Sequence, residues 1–164
     1  MPVNEIKLEL LTPEAFAPFG DIIDAAGSPD MMINEGRCGR FHDLARLDFG
    51  DEPSRAGISI FRSEACTLPY VFNLMERHPL GSQAFIPMSA DPFLVIVAPD
   101  DAGVPGIPRA FLTKPLQGVN LLRGTWHGVL TPLVDDAVFA VVDRIGGGGN
   151  LEEYRLTENY VIVE

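Results

Sequence analysis

"RHPLGSQAFIPM", residues 77–88, is a polar corner followed at once by an apolar strand. A Pro-Leu-Gly turn stands near its start, with Glu76 and His78 just before the turn and Gln83 just after it. Side chains alternate along a strand, so Glu76 and His78 share one face of the strand that ends here. One interpretation is a hydrogen-bonded turn. The other is a site whose polar groups line the open end of a β-barrel.

Short apolar runs, separated by Gly, Pro or Asp, follow one another along most of the chain. They recur about every 10 to 15 residues, which is typical of a β-sandwich or barrel. Nothing between them is long enough for a crossover helix, which argues against a parallel α/β sheet. The predicted strands are 5–11, 57–62, 70–78, 84–88, 92–99, 110–113, 118–122, 127–133 and 138–145.

Three segments lie outside this pattern. Residues 12–20, TPEAFAPFG, are predicted to form a short helix, because Thr12 can cap it and Pro13 suits its first turn. The glycine run 146–149 lacks the following Lys-Ser/Thr of a phosphate loop, so we interpret it as a flexible turn. The tail after it is either a loose arm or an extra strand formed by YVIVE, 160–164.

Composition and charge narrow the class of protein. The chain has 164 residues, of which 46% are hydrophobic and 21% charged, and we expect a single domain over residues 1–164. Its formal net charge of −11 argues against a nucleic-acid or anionic-membrane partner. We find neither a signal peptide nor an apolar run near the ~18 residues of a membrane span. Its two cysteines are distant in sequence and fit neither a zinc spacing nor a disulfide framework, so we expect reduced thiols. The expected location is the cytoplasm.

A second histidine completes the constellation around the corner. In RGTWHGVL, 123–130, a Gly-Thr turn can aim His127 inward. The pair of Glu76 and His78, a polar Gln83 after a turn and a distant His after Gly form the layout of a cupin, a small barrel with ligands at its open end. We therefore predict an all-β, cupin-like jelly-roll β-barrel with a short N-terminal helix. Its four polar residues are predicted to form one functional site rather than separate structural contacts.

The motifs around this constellation resemble those of the ureidoglycolate lyase family. ERHPLGSQAFIPM, 76–88, is the longest and most specific of them, and shorter matches follow in the same order over nearly the whole chain. These shorter matches are LTPEAFAPFGDII (11–23), RFHDL (40–44), ISIFR (58–62), RAF (109–111), QGVN (117–120), RGTWH (123–127) and VVDRI (141–145). The chain differs from the family pattern at Glu35, Leu121, Leu122 and Gly128, where Asn, Tyr, His and His are usual.

The resemblance implies a carbon–nitrogen lyase that cleaves (S)-ureidoglycolate to glyoxylate and urea in allantoin and purine nitrogen catabolism. It also implies a divalent metal, usually nickel, with manganese as the alternative. A homodimer is expected, because open barrels have edge strands that must be covered, and YVIVE has the alternation to pair with a partner. Two alternatives stay open: a non-catalytic cupin that binds a small carboxylate, and a divergent cupin enzyme that acts on another 2-hydroxy acid.

Each candidate residue has a predicted role in this chemistry. Breaking the C–N bond requires a base, an acid and a group that holds the substrate carboxylate. His78 and His127 are predicted as metal ligands or acid/base groups, Glu76 as a ligand or the general base, and Gln83 as a weaker ligand or urea-binding amide. An arginine is expected to bind the carboxylate with its forked guanidinium. The candidates are Arg62, Arg123 and Arg144.

Overall fold

The computed structural model describes residues 3–51 and 53–164, which form strands and one short helix. The elements are β1 (Asn4–Leu10), α1 (Pro13–Phe16), β2 (Gly20–Ile23), β3 (Met31–Ile33), β4 (Cys38–Arg40), β5 (Ser54–Ser63), β6 (Tyr70–Arg77), β7 (Gln83–Pro87), β8 (Phe93–Ala98), β9 (Asp100–Asp101), β10 (Val104–Pro105), β11 (Arg109–Leu112), β12 (Gly118–Leu121), β13 (Trp126–His127), β14 (Thr131–Pro132), β15 (Ala137–Gly146) and β16 (Glu152–Val163). In the described part of the chain, no helix has the length and apolar character to cross a membrane.

Six strands close into a hydrogen-bonded ring, in the order β11-β1-β16-β6-β13-β8. The ring closes because β8 pairs with β11 along one side and with β13 along the other, where β14 also pairs. A second sheet has the order β2-β12-β7-β15-β5 and packs its inner face against β8 and β11. The predicted all-β barrel with a short N-terminal helix is confirmed.

Strand β8, FLVIVA, is buried along its whole length because it separates two apolar clusters. Its odd-numbered side chains join the cluster between the sheets, which includes Phe85, Phe111 and Phe139. Its even-numbered side chains join the cluster inside the ring, which includes Met75 and Trp126. Strands that are covered on both faces read as continuous apolar runs rather than as alternating ones. The composition of β8 therefore marks it as the central strand of the molecule.

Every predicted strand is observed, and the structure adds the short strands β2, β3, β4, β9 and β10, which were not predicted. Two of the predicted elements differ in their bounds. The predicted strand 127–133 is two short strands, β13 and β14, because its middle residues leave the regular pairing. The helix predicted over 12–20 ends at Phe16, although Thr12 caps it as expected, with its Oγ1 accepting a hydrogen bond from the Ala15 amide at 3.2 Å. The chain then enters β2, where pairing with β12 replaces further helical turns.

The C-terminal tail is a strand of the ring, paired along both of its edges, rather than a loose arm. β16 pairs in parallel with β1 along one edge and antiparallel with β6 along the other. Ile162 is fully buried in the cluster inside the ring. The prediction that YVIVE, 160–164, pairs with a partner chain is therefore wrong, because both edges of this segment are used within its own chain.

Candidate active site

The pairing of β6 with β13 brings Glu76 and His127 side by side. The two residues are directly opposite in the antiparallel ladder, so their side chains share a face. Glu76 Oε1 lies 3.9 Å from His127 Nδ1. On its other side His127 pairs with Val97 of β8, and it is only 4% exposed. Strand register on two sides therefore fixes this part of the site.

His78 reaches the same place from the end of β6. It lies two residues beyond Glu76 and takes the same face, as the alternation predicts. Its ring centroid is 5.2 Å from that of His127, with 31° between the ring planes. One potential ligand atom from each of Glu76, His78 and His127 lies within 4.8 Å of the other two. The structure therefore brings these three predicted site residues together.

Each imidazole has its Nδ1 atom bound to a main-chain carbonyl. His127 Nδ1 lies 2.8 Å from Gly128 O, and His78 Nδ1 lies 2.7 Å from Asn150 O. A carbonyl oxygen can only accept, so each Nδ1 carries the proton and each Nε2 presents a free lone pair. Both Nε2 atoms are buried and have no hydrogen-bond partner within the described residues. Such unsatisfied lone pairs are expected of metal ligands, or of bases that await a substrate.

Burial sets the protonation of the site. It lowers the pKa of His127 from 6.5 to about 4, so this imidazole is neutral at physiological pH. Burial also raises the pKa of Glu76, an effect that the nearby His78 opposes and the carboxylate of Glu153 reinforces. The site therefore combines an uncharged nitrogen ligand with a carboxyl group that takes up a proton more readily than an exposed one.

The donor set of Glu76, His78 and His127 fits a divalent cation. Two imidazole nitrogens and a carboxylate form a ligand set that first-row transition metals accept. Metal–ligand bonds of ~2.0–2.2 Å place two donors at most ~4 Å apart, so small side-chain shifts would suffice to enclose an ion. The Nε2 atoms of both histidines support this fit, since they are buried and have no hydrogen-bond partner within residues 3–51 and 53–164.

Gln83 lies at the start of β7 and is buried. Its Nε2 donates a hydrogen bond to Asp143 Oδ2 at 3.2 Å, while its Oε1 is buried without a partner in the described chain. Asp143 stands opposite Gln83 in the pairing of β7 with β15. Sequence reasoning missed Asp143, although it alternates with the buried Phe139 and Val141 and so had to share their inward face.

The positions that depart from the family pattern have unequal effects on the site. Leu121 lies opposite Gln83 and lines an apolar cavity together with His127. A Cβ atom at Gly128 would instead meet Ile96, the nearest atom being 3.0 Å away, on the opposite side of the strand from His127. A side chain at position 128 would therefore point away from the cluster. Leu121, by contrast, gives the cavity beside His127 an apolar wall.

The three candidate arginines divide into two groups. Arg62 is on β5 and its side chain is 75% exposed, and the structure does not bring it to the cluster. Arg123 and Arg144 both lie at the Pro-Leu-Gly corner. Arg123 Nε donates to Pro79 O at 2.8 Å, and Arg144 Nη1 donates to Gly147 O at 2.9 Å.

A cluster behind the site fixes the two strands that carry it, and sequence reasoning did not find it. The guanidinium of Arg77 lies 4.4 Å from the centroid of the Trp126 ring, and it bonds Glu152 at 2.6 Å and Asp100 at 3.0 Å. Trp126 Nε1 also donates to Asp100, at 2.9 Å. Arg77 and Trp126 each adjoin a residue of the site, so contacts on this face hold the opposite face in place.

The all-β barrel architecture, with two histidines and a glutamate brought to one point, defines a cupin-like protein, as predicted. The family model described as ureidoglycolate lyase matches residues 3–163, and the chain belongs to this family. The family suggested by the motifs, and with it the prediction of a lyase, is confirmed.

Individual relatives cover nearly the full length of the chain. It is 62% identical over 154 residues to a ureidoglycolate lyase of Rhodobacter capsulatus, a match that spans 94% of this chain and 95% of that protein. It is 54% identical over 160 residues to a ureidoglycolate lyase of Chelativorans sp., spanning 98% and 97% of the two chains. Among solved structures it is similar to a dTDP sugar isomerase from Desulfovibrio desulfuricans, with a TM-score of 0.48 and 15% identity over 85% of this chain and 83% of the other.

Proposed function

We propose that this member of the ureidoglycolate lyase family cleaves ureidoglycolate to glyoxylate and urea at the cluster of Glu76, His78 and His127. The observation that carries the proposal is the pair of buried Nε2 atoms with no partner in the described chain. The carboxylate of Glu76 lies in the same cluster, where one ligand atom from each of the three residues is within 4.8 Å of the other two. The family and its relatives supply the substrate class, a small carboxylate.

The reaction moves one proton between two atoms that share a carbon. Ureidoglycolate has a hydroxyl oxygen and a ureido nitrogen on the same carbon, next to its carboxylate. As the C–N bond breaks, the hydroxyl loses its proton and becomes a carbonyl, and the departing urea nitrogen gains a proton. Glu76 is suited to carry this proton, because burial raises its pKa and so allows it both to accept and to return the proton.

The same cluster is proposed to hold a divalent cation through His78 Nε2, His127 Nε2 and one oxygen of Glu76. Nickel is the first ion to test and manganese the second. When bound, the cation would supply positive charge that stabilises negative charge on the substrate.

Substrate binding is proposed to use the polar groups around the cluster. Gln83 Oε1, buried and without a partner in the described residues, can accept a hydrogen bond from a ureido N–H. Asp143 holds the amide of Gln83 in this orientation. Arg123 and Arg144, at the neighbouring corner, are the candidates for the substrate carboxylate.

The test compares Glu76→Gln with Glu64→Gln. Glu64 lies in the segment between β5 and β6 and is exposed, so its replacement is a matched control outside the cluster. Glyoxylate and urea are measured per folded protein, with added nickel or manganese, with chelator, and against spontaneous substrate decay. Glu76→Gln is expected to lower the rate by ~10²-fold or more, and Glu64→Gln to leave it nearly unchanged.

Failure of the wild-type protein to exceed spontaneous decay under every metal condition would contradict the proposal. Saturable carboxylate binding without product would then favour the non-catalytic cupin. Turnover of a different 2-hydroxy acid would favour the divergent enzyme.

The homodimer, the cytoplasmic location and the single domain over residues 1–164 stay predictions. We propose that β5, rather than the tail, is the edge that a second copy covers. It ends the second sheet, and no strand within the described residues pairs along its free side. Ile58 and Ile60 on this strand are 77% and 60% exposed, which is unusual for an edge strand that faces water.

A further inference from the structure

The glycine run that leaves β15 ends in a residue that contacts the candidate site. Asn150 accepts a hydrogen bond from the Leu80 amide through its side-chain Oδ1, at 2.8 Å. Its main-chain oxygen lies 2.7 Å from His78 Nδ1. One residue therefore binds both the corner after β6 and the imidazole that precedes this corner.

The contact with the carbonyl determines which nitrogen of His78 faces the site. Because the Asn150 oxygen has no proton to donate, Nδ1 of His78 must donate, and in the neutral imidazole Nε2 then carries the lone pair. Without this acceptor the imidazole could take either tautomer and a wider range of ring orientations. Partners of this kind fix the tautomer and the direction of a ligating histidine.

The two histidines differ in what holds them. The acceptor for His127 is Gly128 O, the carbonyl of the next residue in the chain. The acceptor for His78 lies 72 residues away in sequence. The acceptor of His127 is therefore supplied by the adjacent residue, whereas the orientation of His78 depends on how the connecting segment folds back.

The segment 146–150 has a defined shape. Gly148 has φ of 89°, and a Cβ atom there would lie 3.1 Å from Leu80 Cδ1. Gly147 O accepts a hydrogen bond from Arg144 Nη1 at 2.9 Å. At Gly149, by contrast, a Cβ atom would have no described atom within 4 Å. The conformation that presents Asn150 thus requires glycine at position 148 and tolerates a side chain at 149.

We propose that Asn150 is a positioning residue for His78. Its side chain fastens the segment to Leu80, which keeps its carbonyl on His78 Nδ1 and directs His78 Nε2 into the cluster. The inference rests on the proposed function in so far as His78 is a ligand or a proton-transfer group. The sequence pattern of a glycine run that ends in Asn is then part of the active site rather than a flexible turn.

The experiment uses Asn150→Ala, which removes the side-chain acceptor, and Asn150→Asp, which keeps an oxygen at the same reach. The first measurement is the ¹⁵N chemical shifts of the His78 ring in chelator-treated full-length protein at pH 8, which report its tautomer. The wild-type protein is expected to show a protonated Nδ1, and Asn150→Ala a mixture of both tautomers. Asn150→Asp is expected to restore the wild-type pattern.

The second measurement is the affinity for Ni²⁺ or Co²⁺, by titration. Loss of a residue that orients a metal ligand typically weakens binding ~10–100-fold, and this range is expected for Asn150→Ala. Gly149→Ala is the matched control within the same segment and is expected to bind as the wild type does. Gly148→Ala strains the positive φ and displaces the same segment, so it gives a second test should Asn150→Ala not fold.

A His78 tautomer that stays unchanged in a folded Asn150→Ala or Gly148→Ala protein would overturn the inference. A changed tautomer that Asn150→Asp reverses would support it. Because the ring shifts are measured without metal or substrate, they give an answer even if the wild-type protein shows no lyase activity. A failure of the proposed function can in this way be told apart from a failure of the positioning role.

Discussion

The candidate site has a strand-built half and a loop-built half. Glu76 and His127 form the strand-built half, since the pairing of β6, β13 and β8 fixes them. His78 forms the loop-built half together with Asn150 and the Pro-Leu-Gly corner, to which Arg123 donates a hydrogen bond. A strand register is held by many ladder bonds at once, whereas the loop-built half depends on a few individual contacts. Changes in the first half should therefore affect folding and chemistry together, and changes in the second should affect chemistry more than folding.

The largest effect is expected in the strand-built half, from His127→Ala. It removes a buried lone pair from the centre of the cluster, and the rate of glyoxylate formation per folded molecule should fall by ~10²–10⁴-fold. His42→Ala is the matched control, because His42 is exposed and donates to Asp30 through its main-chain amide, a hydrogen bond that does not need the imidazole. Full activity in His127→Ala would keep the lyase but remove this histidine from its mechanism.

The second-largest effect also concerns the strand-built half. It is a loss of folding stability at acidic pH. The pKa of His127 is lowered from 6.5 to about 4 by burial, so between these values the unfolded chain binds a proton that the folded chain does not. The contribution of the uncharged His127 to the free energy of unfolding is fully present above pH 6.5 and is lost as the pH falls towards 4. For the chelator-treated protein, we expect about 2 kcal/mol of the unfolding free energy to be lost through this residue between pH 7.5 and 5.

Urea unfolding at both pH values measures this loss. The variant His127→Gln has no such group to titrate, so its loss between the two pH values should be smaller than that of the wild type by the same amount. Equal losses in both proteins would show that His127 is not the group that senses acid.

The smallest effect is expected in the loop-built half, from Arg123→Ala. This change removes a charged donor at the Pro-Leu-Gly corner, and we expect the KM for ureidoglycolate to rise by ~10-fold or more, with little loss of stability. Arg62→Ala is the matched control, since its side chain is 75% exposed and distant from the corner along β5. A KM that rises equally in both variants would point to a general charge effect and remove Arg123 from the substrate site.

Much of the fold could be read from local patterns. The continuous apolar run of β8 and the alternation in β6 have the correct type and nearly the correct ends, because each strand buries a face that its own sequence defines. The end of α1 and the division of 127–133 were not predictable, because pairing partners from other parts of the chain decide them. The prediction that the tail pairs with a partner chain was wrong for the same reason. YVIVE shows that it can form a strand, but not which strands it pairs with.

The candidate site divides in the same way. Alternation along β6 places Glu76 and His78 on one face, and the glycine turn before His127 indicates a change of direction, so the sequence itself determined which residue types meet in the candidate site and two of their positions. Only the tertiary structure decided the register that sets His127 against Glu76, and the return of Asn150 onto His78. The physical reason is the range of the interactions. Side-chain alternation is a property of neighbouring residues, whereas a contact across 72 residues exists only after the barrel has closed.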